Sequence, residues 1–165
     1  KMTRWIENVS KDAVRNGHHF DAGPNAMLIQ IGDPASTFPT PKFPFKVVSR
    51  HFEFLDAEND GSFPEECLIS DQDAQELVDL LQYALDNSMN VVVHCHAGIC
   101  RSGAVTEVAT MMGFTATERL RIPNMLVKHK MMKVLGLTYD SEEKAQVVNG
   151  VVTTGGIVVP VGEWE

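Results

Sequence analysis

No apolar run in the 165 residues approaches the roughly 18 that a membrane-spanning helix needs. The opening Lys1-Met2-Thr3-Arg4-Trp5 lacks the charged-then-apolar order of a secretory leader. A soluble, cytoplasmic protein with no membrane partner is the expectation. Positive charge is also scarce: 14 Lys and Arg stand against 22 Asp and Glu, a formal net charge of -8. That balance argues against a nucleic-acid partner and leaves room only for a local cationic pocket. Cysteine is sparse and odd in number. Cys67, Cys95 and Cys100 form no CxxC pair, which excludes a disulfide framework and a structural zinc site and leaves a reactive thiol as the better use. His18, His19, His51 and His129 are scattered, so neither a metal site nor a cofactor is expected. Repeats, low-complexity linkers and domain breaks are lacking too. With 44% apolar residues, the chain reads as one domain over 1–165, with its core at about 25–137 and a possible hairpin or extension at 146–165.

What is there alternates between strand and helix, an α/β pattern. "NAMLIQIG" (25–32) reads as a buried strand, and the proline-rich stretch from Asp33 to Phe45 as a loop. "KVVSRHFEFLD" alternates through Val48, Phe52 and Phe54 and places Asp56 at a strand end. From Ser70, apolar residues at 74, 77, 78, 81, 84 and 85 fall at helical spacing, with Ser70 and Asp73 placed as a capping box. "NVVVHC" (90–95) is a continuously apolar strand, as in the middle of a sheet covered on both faces. Arg101 to Met112 reads as helix closed by Gly113, and a further helix runs from near Pro123 to Leu135. Between them, "FTATERLRI" extends a helix or forms a connector. In the tail, Asn149-Gly150 and Gly155-Gly156 between valine-rich runs signal a hairpin.

The chemistry concentrates in "HCHAGICRSG", from His94 to Gly103. A sharp turn after Cys95 into a helix near Arg101 brings the amides of His96, Ala97, Gly98, Ile99, Cys100 and Arg101 toward one point in front of the sulfur. Gly98 permits backbone angles closed to bulkier residues, and amides left unpaired at a helix start attract an anion. Arg101 adds a planar, permanently charged fork suited to two phosphoryl oxygens. The same positive field favours a thiolate at Cys95, which makes it a nucleophile. Cys100 is read as packing rather than as a disulfide partner, Cys67 as inert, Asn124 as a helix cap, and His96 as lying at the pocket rim or in solvent.

His94, Cys95, Arg101 and Ser102 reproduce the His-Cys, five residues, Arg, Ser or Thr signature, and the stretch resembles the cysteine-dependent protein tyrosine phosphatases, most closely their dual-specificity branch. "MLIQIGDP", "FEFLD", the helix from Ser70 and "PNMLVKHKMMKVLG" are similar to small bacterial and phage proteins classed as predicted tyrosine phosphatases, over about residues 25–137. The resemblance implies a tyrosine-phosphatase-like fold, a mostly parallel sheet flanked by helices with the phosphate-binding loop between a central strand and a helix. It implies a metal-free hydrolase in which Cys95 forms a cysteinyl-phosphate, Arg101 and the amides of residues 96–101 hold the phosphoryl oxygens, Ser102 assists departure of the sulfur, and His94 braces the loop. The general acid implied is Asp56, with Asp60 as alternative.

The substrate implied is a phosphorylated protein or peptide, with phosphate or sulfate able to occupy the site. The loop lacks the lysines of phosphoinositide-directed relatives, and no aromatic loop for a deep phosphotyrosine-only pocket is identifiable, so phosphotyrosine and phosphoserine or phosphothreonine are both expected to enter. Two further classes share these features. One is a rhodanese-like sulfurtransferase; the other is an inactive phosphoprotein-binding domain, which would usually have lost Cys95 or Arg101.

Overall fold

A computed structural model describes residues 4–139, 145–148, 151–154 and 158–160, with side chains from 4 to 138. Strand β4 (Asn90–Cys95) lies at the centre, and its Val91, Val92 and Val93 are fully buried because it has a strand on either side and packed layers on both faces. Strands β1 (Trp5–Ser10) and β2 (Ala26–Gly32) flank it, β3 (Val47–Glu53) lies outside β2, and β5 (Thr115–Ala116) lies outside β1. The order is β3-β2-β4-β1-β5 and every pairing is parallel. Continuously apolar strands such as β2 and β4 belong in such a sheet, since neither face meets water.

Helices α2 (Asp71–Asp86), α3 (Arg101–Met112) and α4 (Met125–Val134) cover one face, over a core that includes Ile29, Val91, Leu77, Val105 and Met131. The short helix α1 (Lys11–Asn16) covers the other, over Val9, Leu28 and Val92. Fully burying a side chain such as Leu77 contributes about 1.5–3 kcal/mol. The expected capping box starts α2: Asp73 N donates to Ser70 Oγ (2.9 Å) and Ser70 N donates to Asp73 Oδ2 (3.1 Å). Among the described residues no helix is long and apolar enough to cross a membrane.

Two expectations need correction. The sheet takes in β1, so its core begins near residue 5 rather than 25; "WIENVS" hides its strand character because its buried positions include Glu7 and Asn8. Val48 is exposed while Phe52 and Phe54 are buried, because the β2–β3 register shifts between Leu28 and Gln30. The helix expected from near Pro123 is α4, with Asn124 as its N-cap, accepting from Val127 N at 3.0 Å. Of the two forms left open for the stretch after α3, it takes that of a connector, carrying β5. In the tail, β7 (Ala145–Val148) pairs antiparallel with β8 (Val151–Thr154), and β6 (Leu137–Tyr139) pairs with β9 (Val158–Pro160). The positions of the expected glycine turns, in 149–150 and 155–157, and the end of the expected hairpin at 161–165 lie outside the described residues.

An all-parallel sheet delivers the carboxyl ends of its strands to one edge, where ligands of such folds bind. Here that edge gathers Cys95 from β4, Asp33 from just beyond β2, and Phe54 to Asp56 from just beyond β3.

Candidate active site

Cys95 ends β4 with only 2% of its surface exposed, and its loop turns back around the sulfur. Gly98 N donates to Cys95 Sγ at 3.3 Å, and Ser102 Oγ lies 3.1 Å from the same sulfur. Gly98 has φ +78, and a Cβ there would sit 2.3 Å from the carbonyl carbon of Val9, so the loop packs against β1 too closely for any side chain.

The loop's carbonyls are drawn away from the sulfur. Lys11 N donates to His96 O (3.3 Å), Asn8 Nδ2 to Gly98 O (2.7 Å), Ile122 N to Ile99 O (3.2 Å) and Asn124 N to Cys100 O (2.9 Å). Among the described residues the amides of Ile99, Cys100 and Arg101 find no backbone acceptor. Helix α3 begins at Cys100 with no side-chain cap. Bound carbonyls behind and unpaired amides in front make a concavity of positive potential, which is what an oxyanion requires.

Arg101 is 96% buried by surface, with 4% exposed. Its Nη1 donates to Phe54 O (2.7 Å) and to Asp33 Oδ1 (2.8 Å). Its Nε is buried without a partner among the described residues. One corner of the guanidinium is thus anchored to β3 and β2, and the Nε donor remains for a ligand. An open cavity of about 310 Å³ has Cys95, His96, Ala97, Cys100 and Arg101 in its wall, faced by Asp33, Asp56, Leu55 and Phe63.

Asp56 stands on that wall, its Oδ1 accepting from Asn124 Nδ2 at 2.9 Å. Asp60, the alternative acid, is not on it. Its Oδ1 accepts from Ser62 N (2.9 Å), and hydrogen bonds from Ser62 hold this exposed carboxyl below its usual range. His94 is buried, and burial pushes its imidazole down to about 4, so it is neutral. The charges of His51, Lys11 and Arg101 act in the same direction, against a hydrogen bond with Cys95 O. Nδ1 of His94 lies 3.4 Å from that carbonyl. The proline-rich loop reaches the site as well: Phe38 stacks on His51 at 3.8 Å and meets His94 edge-on at 6.0 Å. Burial, followed by the Asp56 carboxylate, pushes the Cys100 thiol up, and all three cysteines are free.

Sequence reasoning missed Asp33, Asn8 and the contact of Asn124 with Asp56. The first two depend on which strands lie beside β4, which spacing along the chain does not encode. A second cavity, of about 390 Å³, has His19, Phe43 and Phe45 in its wall on the α1 side and contains neither a cysteine nor an Arg or Lys. Among the described residues no group of three His, Cys, Asp or Glu is placed to hold a metal ion. Fold and site together define an α/β protein with a buried cysteine in an amide-rich, arginine-closed loop at the carboxyl edge of its sheet. No protein-family model matches the chain, and no curated protein matches it.

Proposed function

We propose that the protein is a cysteine-dependent phosphatase of the dual-specificity type, hydrolysing phosphotyrosine and phosphoserine or phosphothreonine monoesters in proteins or peptides. The observation that carries this reading is the placing of one sulfur, Cys95 Sγ, between the Gly98 amide at 3.3 Å and the Ser102 hydroxyl at 3.1 Å in a cavity that Arg101 also walls. The strand, loop and helix around it support a tyrosine-phosphatase-like fold with a phosphate-binding loop.

In the first step the Cys95 thiolate attacks phosphorus, the S–P bond forms, and the bond to the ester oxygen breaks. Asp56 gives that oxygen its proton. The loop amides and the free donors of Arg101 stabilise charge on the phosphoryl oxygens, the positioning and electrostatics that dominate phosphoryl transfer. In the second step water attacks phosphorus, its proton passes to the Asp56 carboxylate, the S–P bond breaks, and Ser102 Oγ–H donates to the departing sulfur. Phosphate is released and the site is restored.

Hydrolysis of para-nitrophenyl phosphate, followed with a metal chelator present, tests the reading. Cys95→Ser is expected to abolish turnover and Arg101→Lys to lower kcat by about 10²–10³-fold, the usual cost of removing a transition-state donor. Phosphotyrosine and phosphoserine peptides of matched sequence then measure the breadth of specificity. A persulfide on Cys95 after thiosulfate treatment, without phosphate release from any ester, would instead identify a sulfurtransferase.

A further inference from the structure

Asn124 is more than a helix cap. Its side chain is 4% exposed and fully committed: Oδ1 accepts from Val127 N (3.0 Å), while Nδ2 donates to Asp56 Oδ1 (2.9 Å) and to Ala57 O (3.2 Å). Its backbone N–H is committed as well, to Cys100 O at 2.9 Å, one residue before Arg101. A single residue therefore joins three parts that are far apart in sequence: the end of the sulfur-bearing loop, the first turn of α4, and the segment that follows β3. We infer that Asn124 is a positioning residue, setting the distance and direction from which Asp56 protonates the leaving oxygen.

The inference rests on the phosphatase reading. Its physical content is geometric. Asp56 and Ala57 lie in an irregular segment beyond an edge strand, where no ladder of backbone bonds fixes the chain. Two donations from one buried amide fix it instead, and because Nδ2–H binds Oδ1, the transferable proton belongs on Oδ2. Proton transfer needs heavy atoms within about 2.6–3.2 Å, so a segment free to drift by an ångström protonates poorly. The groups sharing the wall with Asp56 are Asp33, Cys95, His96, Cys100 and Arg101. Of these, the Cys100 thiol also hydrogen-bonds to the Asp56 carboxyl, whereas the Asn124 amide holds both Asp56 Oδ1 and the neighbouring Ala57 O.

Asn124→Ser separates the two roles, since serine still caps a helix but is too short to hold Asp56. The full-length chain is assayed on para-nitrophenyl phosphate, whose leaving group departs without a proton, and on phenyl phosphate, whose leaving group needs one. The expected result is a loss in kcat/KM, which reports the first step alone, about tenfold greater on phenyl phosphate than on the nitrophenyl ester, as a fraction of the 10²–10⁴ that general acids supply. In an Asp56→Asn background the same substitution should cost nothing further. If Asn124→Ser proves too unstable, Asn124→Asp keeps size and cap, removes the donor, and carries the same expectation. Equal losses on both esters, or further loss in the Asp56→Asn background, overturn this inference alone. A wild type that hydrolyses neither ester overturns the phosphatase reading and this inference with it.

Discussion

Gly98 carries the sharpest single-residue constraint on the loop. With φ +78 and a prospective Cβ 2.3 Å from backbone of Val9, alanine there meets both a disfavoured conformation and a rigid obstacle. Gly98→Ala is expected to cost about 3 kcal/mol, combining left-handed strain with overpacking. Urea denaturation measures it; a loss under about 0.5 kcal/mol would mean that the loop does not lie against β1. His94 makes a prediction in pH. Its folded-state value of about 4 lies below the ordinary 6.5, so the unfolded chain binds the proton more readily. Stability from the neutral imidazole is therefore complete above about pH 6.5 and declines as pH falls toward 4, by up to about 3 kcal/mol. The stability difference between wild type and His94→Asn should shrink between pH 7 and pH 4.5. A constant difference would show that the imidazole titrates normally in the folded protein.

Among the elements, β1 links the fold to the chemistry. It supplies Asn8, which pulls the Gly98 carbonyl out of the pocket, and Glu7, a buried carboxylate whose Oε2 accepts from Arg119 Nε at 2.6 Å and whose Oε1 accepts from Phe20 N at 2.9 Å. Asn8→Ala leaves the buried Gly98 carbonyl, and that of Leu120, without this donor. The expected cost is about 1–3 kcal/mol, with a matching drop in kcat because the carbonyl is freed to turn toward the anion. Thermal unfolding and steady-state kinetics on that variant check both halves, and undiminished kcat would separate the strand from the loop's shape.

The same strand explains what was legible in the sequence. Helix α2 announces itself because its apolar residues carry a clean helical period and its capping box is local, and β4 because its valines run unbroken. The strand β1 does not, since fixed polar contacts fill positions that pattern-reading reserves for apolar side chains. Cys95, Gly98, Arg101 and Ser102 were legible for a different reason: the eight consecutive positions from 95 to 102 converge by local geometry. Asp33 and Asn124 reach the site across 68 residues of sequence, to Arg101 and Asp56 respectively; the parallel pairing of β2 with β4 brings the first there, and the packing of α4 brings the second.

At the scale of the whole molecule, a chain of formal charge -8 gathers unpaired amides and one buried arginine at a single point of its sheet edge. The surrounding acidity disfavours anions in general, so capture of a phosphoryl group depends on that point alone. The central claim, that Cys95 takes the phosphoryl group covalently, is tested most directly by trapping it. Ser102→Ala removes the hydroxyl 3.1 Å from the sulfur and should slow the second step more than the first, so that the intermediate accumulates. Acid quenching during turnover of para-nitrophenyl phosphate, followed by peptide mass spectrometry, should find one phosphoryl group on Cys95. Steady hydrolysis with Cys95 unmodified at every quench time, or with the phosphoryl group on another residue, would contradict the account.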